Sequence, residues 1–331
     1  IKITNIFNMR TFAAAVLVGL VAADEFEFMQ YIAKYNKSYG TREEFNFRMN
    51  QFMKHDTAIN ELNAKNLSSV HAHNKFSDWT DSEYKKLRGD HTHFEAGLNF
   101  GNMTMPDLTK VSDDLEFSWI DHGAVTPVKD QGQCGSCWTF SATGVLEGAH
   151  FLATGELLSF SEQQFVDCAT AEWDNYGCNG GLSANAFEYA TTHTVELESD
   201  YPYTAVDGTC VYDASVSSIG VTEWSWVYPR QSPEALKAAL QIQPVSVSVD
   251  ANCTAFHSYS TGVLTSEAGC GTSLDHAIMA VGWGSENGVD YWLVKNSWGA
   301  DWGEEGYIKI GIEDGVGVVG IQTRPVVATT N

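Results

Sequence analysis

The 331-residue sequence predicts an α+β fold of two packed halves. Three observations carry that class. Apolar residues make up 44% and aromatic residues 12%, enough for a core and too many for a disordered chain. Helical patterns come first, over residues 24–65 and from Cys137 to about Ala153. Strand patterns follow, separated by Gly-rich turns. No internal repeat or low-complexity tract interrupts this order.

Met9-Arg10 precedes an apolar run over 12–23 that ends in Ala22-Ala23 before Asp24. That layout predicts a secretory signal peptide over 1–23, with residues 1–8 an extension upstream of the true start. The run falls short of the roughly 18–20 apolar residues a membrane anchor needs. Within 24–65, Glu44, Arg48, Phe52, His55, Ile59 and Asn63 recur at steps of three and four, along one helix face. Residues 89–113 lack periodicity and scatter Gly, Asn, Asp and Pro, which predicts an exposed linker. From about Leu115 the texture changes. The helix opened by Cys137 is stopped by Thr154-Gly155. After Pro244, Val245-Ser-Val-Ser-Val249 alternates as a half-buried strand should, and 277–281, 291–295 and 307–310 predict further strands.

Net charge is −23 and unevenly placed. Residues 1–112 carry 13 basic and 13 acidic side chains, whereas 113–331 carry 6 basic and 29 acidic. So negative a field opposes binding to nucleic acid or an anionic membrane. It relaxes as carboxylates protonate near pH ~4–5, which suits an acidic compartment or serves plain solubility. Seven cysteines behind a signal peptide imply disulfides, and the odd count leaves one thiol over. Asn-x-Ser/Thr acceptors at Asn36, Asn66, Asn102 and Asn252 fit a secretory route.

The densest chemistry lies in Gln131-Gly-Gln-Cys134-Gly-Ser-Cys137-Trp138. A thiol must ionise to attack a carbonyl, and a free Cys near pKa about 8.5 mostly is not ionised. A helix N-terminus lowers that pKa, and the pattern starting at Cys137 puts its sulfur there. A histidine must come from elsewhere, oriented by a third polar group. Of His122, His150, His193, His257 and His276, the last stands out at the head of the apolar strand Ala277-Ile-Met-Ala-Val281, 139 residues after Cys137. Asn296 follows in Lys295-Asn296-Ser297-Trp298-Gly299.

These motifs resemble the papain family of cysteine proteases, of the cathepsin L type, over nearly everything from Asp24 onward. The resemblance implies a papain-like fold, with a helical left domain, a β-barrel-like right domain and a cleft between, preceded by a helical propeptide. It implies Cys137 as nucleophile, His276 as general base and acid, and Asn296 as its orienter, shielded by Trp298. Gln131 and the backbone N–H of Cys137 would form the oxyanion hole. Residues 24–112 resemble the inhibitory propeptide, through Glu44, Arg48, Phe52, Ile59 and Asn63 (with His55 where Asn is usual) and through Ala72-x-Asn74-x-Phe76-x-Asp78. Such a segment lies through the cleft and blocks it, and protonation of carboxylates such as Asp78 would loosen it in acid. Aligning Phe117-Ser118-Trp119 with the family's mature start puts cleavage near Asp113, giving a catalytic domain over 113–331.

By the same resemblance Cys134 pairs with Cys178 and Cys168 with Cys210. The third family bridge would join Cys270 to a position where this chain has Val319, and an extra Cys253 appears instead. Parity favours Cys253–Cys270, with two free thiols as the alternative. Leu182, Ser183, Ser248, Leu274 and Ala277 would wall the S2 pocket, with Arg324 at its base. Those walls imply an apolar P2 residue. The cation could additionally accept Asp or Glu, or swing out to solvent or to a nearby carboxylate.

A zinc module from Cys134 and Cys137 lacks a second ligand pair. A redox motif lacks the βαβ pattern around it. A catalytically silent binding or storage protein on this fold would ordinarily lose the nucleophile. The expectation is therefore a cysteine endopeptidase made as an acid-activated zymogen, since no long His-bearing insertion follows Gly180-Gly181 to close the cleft as in a dipeptidase. It would act on polypeptides as a monomer without metal or cofactor, inhibited by its own propeptide and open to cystatin-like inhibitors. Its destination would be a lysosome, an acidic digestive vacuole or the exterior.

Overall fold

The computed structural model describes residues 24–90, 102–216 and 219–331. The signal-peptide expectation for 1–23 lies outside them, as does 91–101 of the expected linker.

The propeptide region begins with helix α1 over 24–34 and helix α2 over Arg42–Asn63, which Thr41 caps by accepting from the Glu44 N–H. A break over 35–41 divides the helical span expected for 24–65. The two helices cross on Phe28, Tyr31 and Phe52, with the Phe28 and Phe52 rings 5.4 Å apart. Strand β1 (Ser69–His71) and the short helix α3 (Asp81–Tyr84) follow.

Helix α4 (Cys137–Thr154) is buried from Cys137 to His150 and ends at Gly155, whose φ of 81° few other residues adopt readily. With α5 (Glu162–Cys168) and α6 (Ser183–Ala190) it forms one half around Trp138, Phe165 and Phe187. The other half is sheet, built on Trp292, Trp298, Trp302 and Ile308. Its strands are β2 (Met103–Thr104), β3 (Phe117–Ser118), β4 (Val221–Val227), β5 (Val245–Val249), β6 (Tyr259–Leu264), β7 (His276–Glu286), β8 (Val289–Lys295), β9 (Tyr307–Gly311) and β10 (Val326–Thr330). Helices α7 (Pro233–Leu240) and α8 (Thr254–His257) pack around them. Hydrogen bonding traces an open path, β1-β6-β9-β8-β7-β5-β10-β4-β2, with β3 added on β7. Strands from the N-terminal part of the chain thus sit at both ends, β1 on β6 and β2 parallel to β4.

Two expectations fail. Strand β5 is buried on both faces, because its serines turn toward polar partners inside the protein. The Ser141 hydroxyl donates to Ser246 Oγ (2.7 Å), and Ser248 Oγ accepts from Arg324 Nε (3.1 Å). The exposed linker begins too early, since Gly89 and Asp90 are buried against the catalytic half and Met103–Thr104 extend the sheet. A segment filling a cleft needs no period, because its own side chains form no face.

Candidate active site

Cys137 opens α4, with its sulfur at the positive end of an 18-residue helix. Strand register brings its partners in. β5 pairs with β7, setting Val249 opposite His276 and Ser248 opposite Ala277. β7 pairs with β8, setting Met279 opposite Lys295, so Asn296 emerges beside His276. His276 Nε2 and Asn296 Oδ1 lie 2.8 Å apart, and the Trp298 ring lies 4.8 Å from the imidazole, tilted 31°. His276 Nδ1 is buried without a hydrogen-bond partner. With the Nε2 side taken by Asn296, Nδ1 is the nitrogen free for proton exchange.

Gln131 is fixed at both ends of its amide. Ser297 Oγ donates to its Oε1 (2.7 Å), while its Nε2 donates to the carbonyls of Cys134 (2.8 Å) and Leu87 (2.9 Å). An amide held this way presents a neutral donor where an oxyanion would form. Ser297 is a positioning residue that the sequence reading missed, although it directly follows Asn296.

Residues 87–90 occupy this site. The Leu87 carbonyl takes the Gln131 donor, and the Gly89 N–H donates to Cys137 Sγ (3.3 Å), beside a second donor from Ala277 N (3.5 Å). The sulfur therefore meets an N–H and not a carbonyl carbon, so the segment blocks without being attacked. Only glycine fits at 89, since a Cβ there would lie 1.7 Å from the Gly135 carbonyl oxygen. Asp90 bridges Gly181 in parallel pairing. Burial, and next the Asp90 charge, push the Cys137 thiol up to about 12. Burial pulls His276 down to about 4, against the raising effect of Asn296. Burial thus favours the neutral form of both groups.

The propeptide is anchored around Asp78, whose buried carboxylate accepts from Tyr31, Lys37 and Tyr39 at 2.7–2.9 Å. Arg48 grips Glu83 through two 2.8 Å bonds and donates to the Asp78 carbonyl (3.1 Å). Glu44 sits exposed at the cap of α2 and accepts from the Gly40 N–H. Phe52 and Ile59 are buried. Asn63 pairs with the backbone of His71, and His55 Nδ1 lies 2.7 Å from the Ser77 carbonyl. Asn74 donates to the His257 carbonyl (2.6 Å), and Phe76 packs edge-on against Trp298 (5.8 Å).

Leu182, Ser183, Ser248, Leu274, Ala277 and Arg324 are all buried. The Ser183 hydroxyl turns away to the Trp138 carbonyl (2.9 Å). Arg324 points inward, 1% exposed, with Nη2 on Asp90 Oδ1 at 2.6 Å. Behind the site, Lys129 joins Glu147 (3.0 Å) and Glu162 (2.6 Å), and Lys295 donates to the Thr126 carbonyl (2.7 Å). A cavity of about 20 Å³ between the halves is lined by these charges and Asn296. Bridges join Cys134–Cys178, Cys168–Cys210 and Cys253–Cys270, and Cys137 is the free thiol. Among the described residues no cluster could hold a metal ion, and no helix is long and apolar enough to cross a membrane.

Residues 114–329 match the model of the papain family cysteine protease, and residues 28–84 match that of the cathepsin propeptide inhibitor domain. The chain is 43% identical to digestive cysteine proteinase 1 of Homarus americanus over 308 residues, covering 90% of this chain and 93% of the relative. It is 40% identical to cathepsin L of Sarcophaga peregrina over 299 residues, covering 86% and 87%. The structure resembles digestive procathepsin L 3 from the larval midgut of Tenebrio molitor, with TM-score 0.81 and 33% identity over 92% of this chain and 99% of that one. A recombinant stem bromelain precursor gives TM-score 0.83 at 33% identity, covering 93% and 99%.

Proposed function

The chain belongs to the papain family of cysteine proteases and is a cysteine endopeptidase made as a zymogen, and from that premise we propose how its residues divide the reaction. Cys137 is the nucleophile and His276 takes and returns its proton. The carbonyl carbon of the scissile bond gains the sulfur. The amine leaves with the proton from His276, and water then releases the acyl group. Asn296 holds the imidazole and Trp298 covers that hydrogen bond. Gln131, aimed by Ser297, stabilises the oxyanion with the Cys137 backbone N–H. The observation that carries this reading is the clustering at one buried point: the Cys137 sulfur at a helix N-terminus, the His276–Asn296 pair, and the Gln131 donor already holding a carbonyl.

Residues 1–23 form the signal peptide and 24–112 the propeptide, with the mature enzyme starting within a few residues of Asp113. S2 is walled by Leu182, Ser183, Ser248, Leu274 and Ala277. Acid loosens the propeptide and starts processing, in keeping with the strongly acidic charge balance of 113–331. The digestive names of several relatives support a secretory route ending in a digestive vacuole, a lysosome or the exterior. The mature enzyme acts as a monomer, without cofactor, and cystatin-like inhibitors would fit the emptied cleft.

The test is acid treatment of the full zymogen, followed by labelling with an epoxide inactivator of thiol proteases and a peptide assay. Label on Cys137 together with peptide cleavage is expected, and neither should survive in Cys137→Ala. A treated sample that neither labels nor cleaves contradicts the assignment.

A further inference from the structure

We propose that the pocket floored by Arg324 selects an acidic side chain, Asp or Glu, at the P2 position of the substrate. This rests on the peptidase reading above and adds the substrate class. The zymogen itself fills the pocket with a carboxylate. Directly after Gly89, whose N–H reaches Cys137 Sγ, Asp90 turns inward and places Oδ1 2.6 Å from Arg324 Nη2, each side chain 1% exposed. Its backbone is held by the Asp275 carbonyl (3.0 Å), and the Gly89 carbonyl accepts from the Gly181 N–H (2.8 Å). Arg324 is itself aimed, since Nε donates to Ser248 Oγ. Leu182, Leu274 and Ala277, the apolar positions proposed for S2, are buried.

Release of the propeptide removes Asp90, the ion-pair partner of Arg324 among the described residues. The guanidinium left behind, held by one serine, lacks an anionic partner, and a substrate carboxylate replaces the one that was lost. The pair in the zymogen uses one arm of the fork, because Asp90 Oδ2 and Arg324 Nη1 are buried without partners. The unpaired Nη1 is available for the second oxygen of an incoming carboxylate. Neutral Gln, nearly the same shape as Glu, gains none of this.

The preference also bears on self-processing. The junction reads Asp113-Asp114-Leu115-Glu116, and Leu115 is 83% exposed. Cleavage after Asp114 puts Asp113 in the pocket, and cleavage after Leu115 puts Asp114 there. The mature chain would begin at Leu115 or Glu116.

The experiment is a peptide series varied only at P2 (Leu, Gln, Glu, Asp, Lys), assayed with the acid-processed enzyme. Glu and Asp peptides are expected to exceed Gln clearly in kcat/KM. In Arg324→Ala the Glu-to-Leu ratio should fall on the order of a hundredfold, and in Arg324→Glu the preference should move to Lys. Wild type that cleaves the Leu peptide but treats Glu no better than Gln overturns the proposal and leaves the peptidase reading standing. Failure to cleave any of the series overturns that reading and this one with it. The wild-type series decides the matter alone if a variant fails to fold. N-terminal sequencing adds a second readout: Leu115 or Glu116 supports the pocket's role in processing, and a start with a neutral residue two positions before the cut contradicts it.

Discussion

Cys137 and His276 are chemically silent in the zymogen for the same reason, which is burial under residues 87–90. Desolvation disfavours a charge of either sign, so it raises the thiol and lowers the imidazole, the opposite of what a thiolate–imidazolium pair needs. Removing the cover returns solvent and the Asp90 charge leaves. Gly89→Ala should spoil the cover, because its Cβ has no room beside Gly135. The full zymogen carrying it is expected to show at least about tenfold more peptidase activity at neutral pH, where a loss of about 1.4 kcal/mol in hold suffices; unchanged latency would refute the fit described here. Gln131→Ala in the processed enzyme should lower kcat on the order of 10²–10³-fold, measured with a saturating peptide. The four side chains proposed for the chemistry, Cys137, His276, Asn296 and Gln131, could be picked out in the sequence because each residue type is demanded by that chemistry and sits in a short motif. Ser297, Gly89 and Asp90 were not, since a lone serine, glycine or aspartate gains its meaning only from what folding places beside it.

The propeptide's elements hold through charge-assisted bonds of unequal sensitivity to acid. Glu83 is drawn down to about 2, first by its hydrogen bonds from Arg48. A lowered carboxylate stabilises above its ordinary range and loses that contribution only as pH falls through about 2. The Arg48–Glu83 clamp therefore survives pH 4–5, and acid release must act elsewhere on the segment. Arg48→Ala should weaken the hold by about 1 kcal/mol, with both side chains about one-fifth exposed. Residual activity of the unprocessed zymogen at pH 7 should then rise roughly fivefold, and no rise would discount the clamp. Helix α4 and strands β7 to β9 were readable from periodicity and turn glycines. The break between α1 and α2 and the fully buried β5 were not, because a period of two does not say whether the second face meets water or a neighbouring serine.

Across the whole molecule, the two halves meet on buried charge as well as on apolar surface. Burial raises Glu162 to about 7 despite the attraction of Lys129, while burial lowers Lys295 to about 8. A carboxylate whose folded pKa is raised is an unfavourable charge at higher pH, and the cost is relieved as pH falls through about 7 toward the ordinary range. The processed enzyme should accordingly gain thermal stability from pH 7.5 to 5.5, and Glu162→Gln should flatten that gain in differential scanning calorimetry. A parallel profile in the variant would assign the gain to surface charge alone. The acidic balance of 113–331 was plain in the sequence; the cluster between the halves was not, since its members lie far apart along the chain.

Cys137 is expected to become a thiolate only when the propeptide leaves. This is tested most directly by the pH dependence of Cys137 alkylation, followed by mass spectrometry in the zymogen and in the processed enzyme. The zymogen is expected to resist alkylation over pH 6–9, above the acid range that loosens its propeptide, and the processed enzyme to react rapidly from the acid side of neutrality. Superimposable profiles in the two forms would contradict the account.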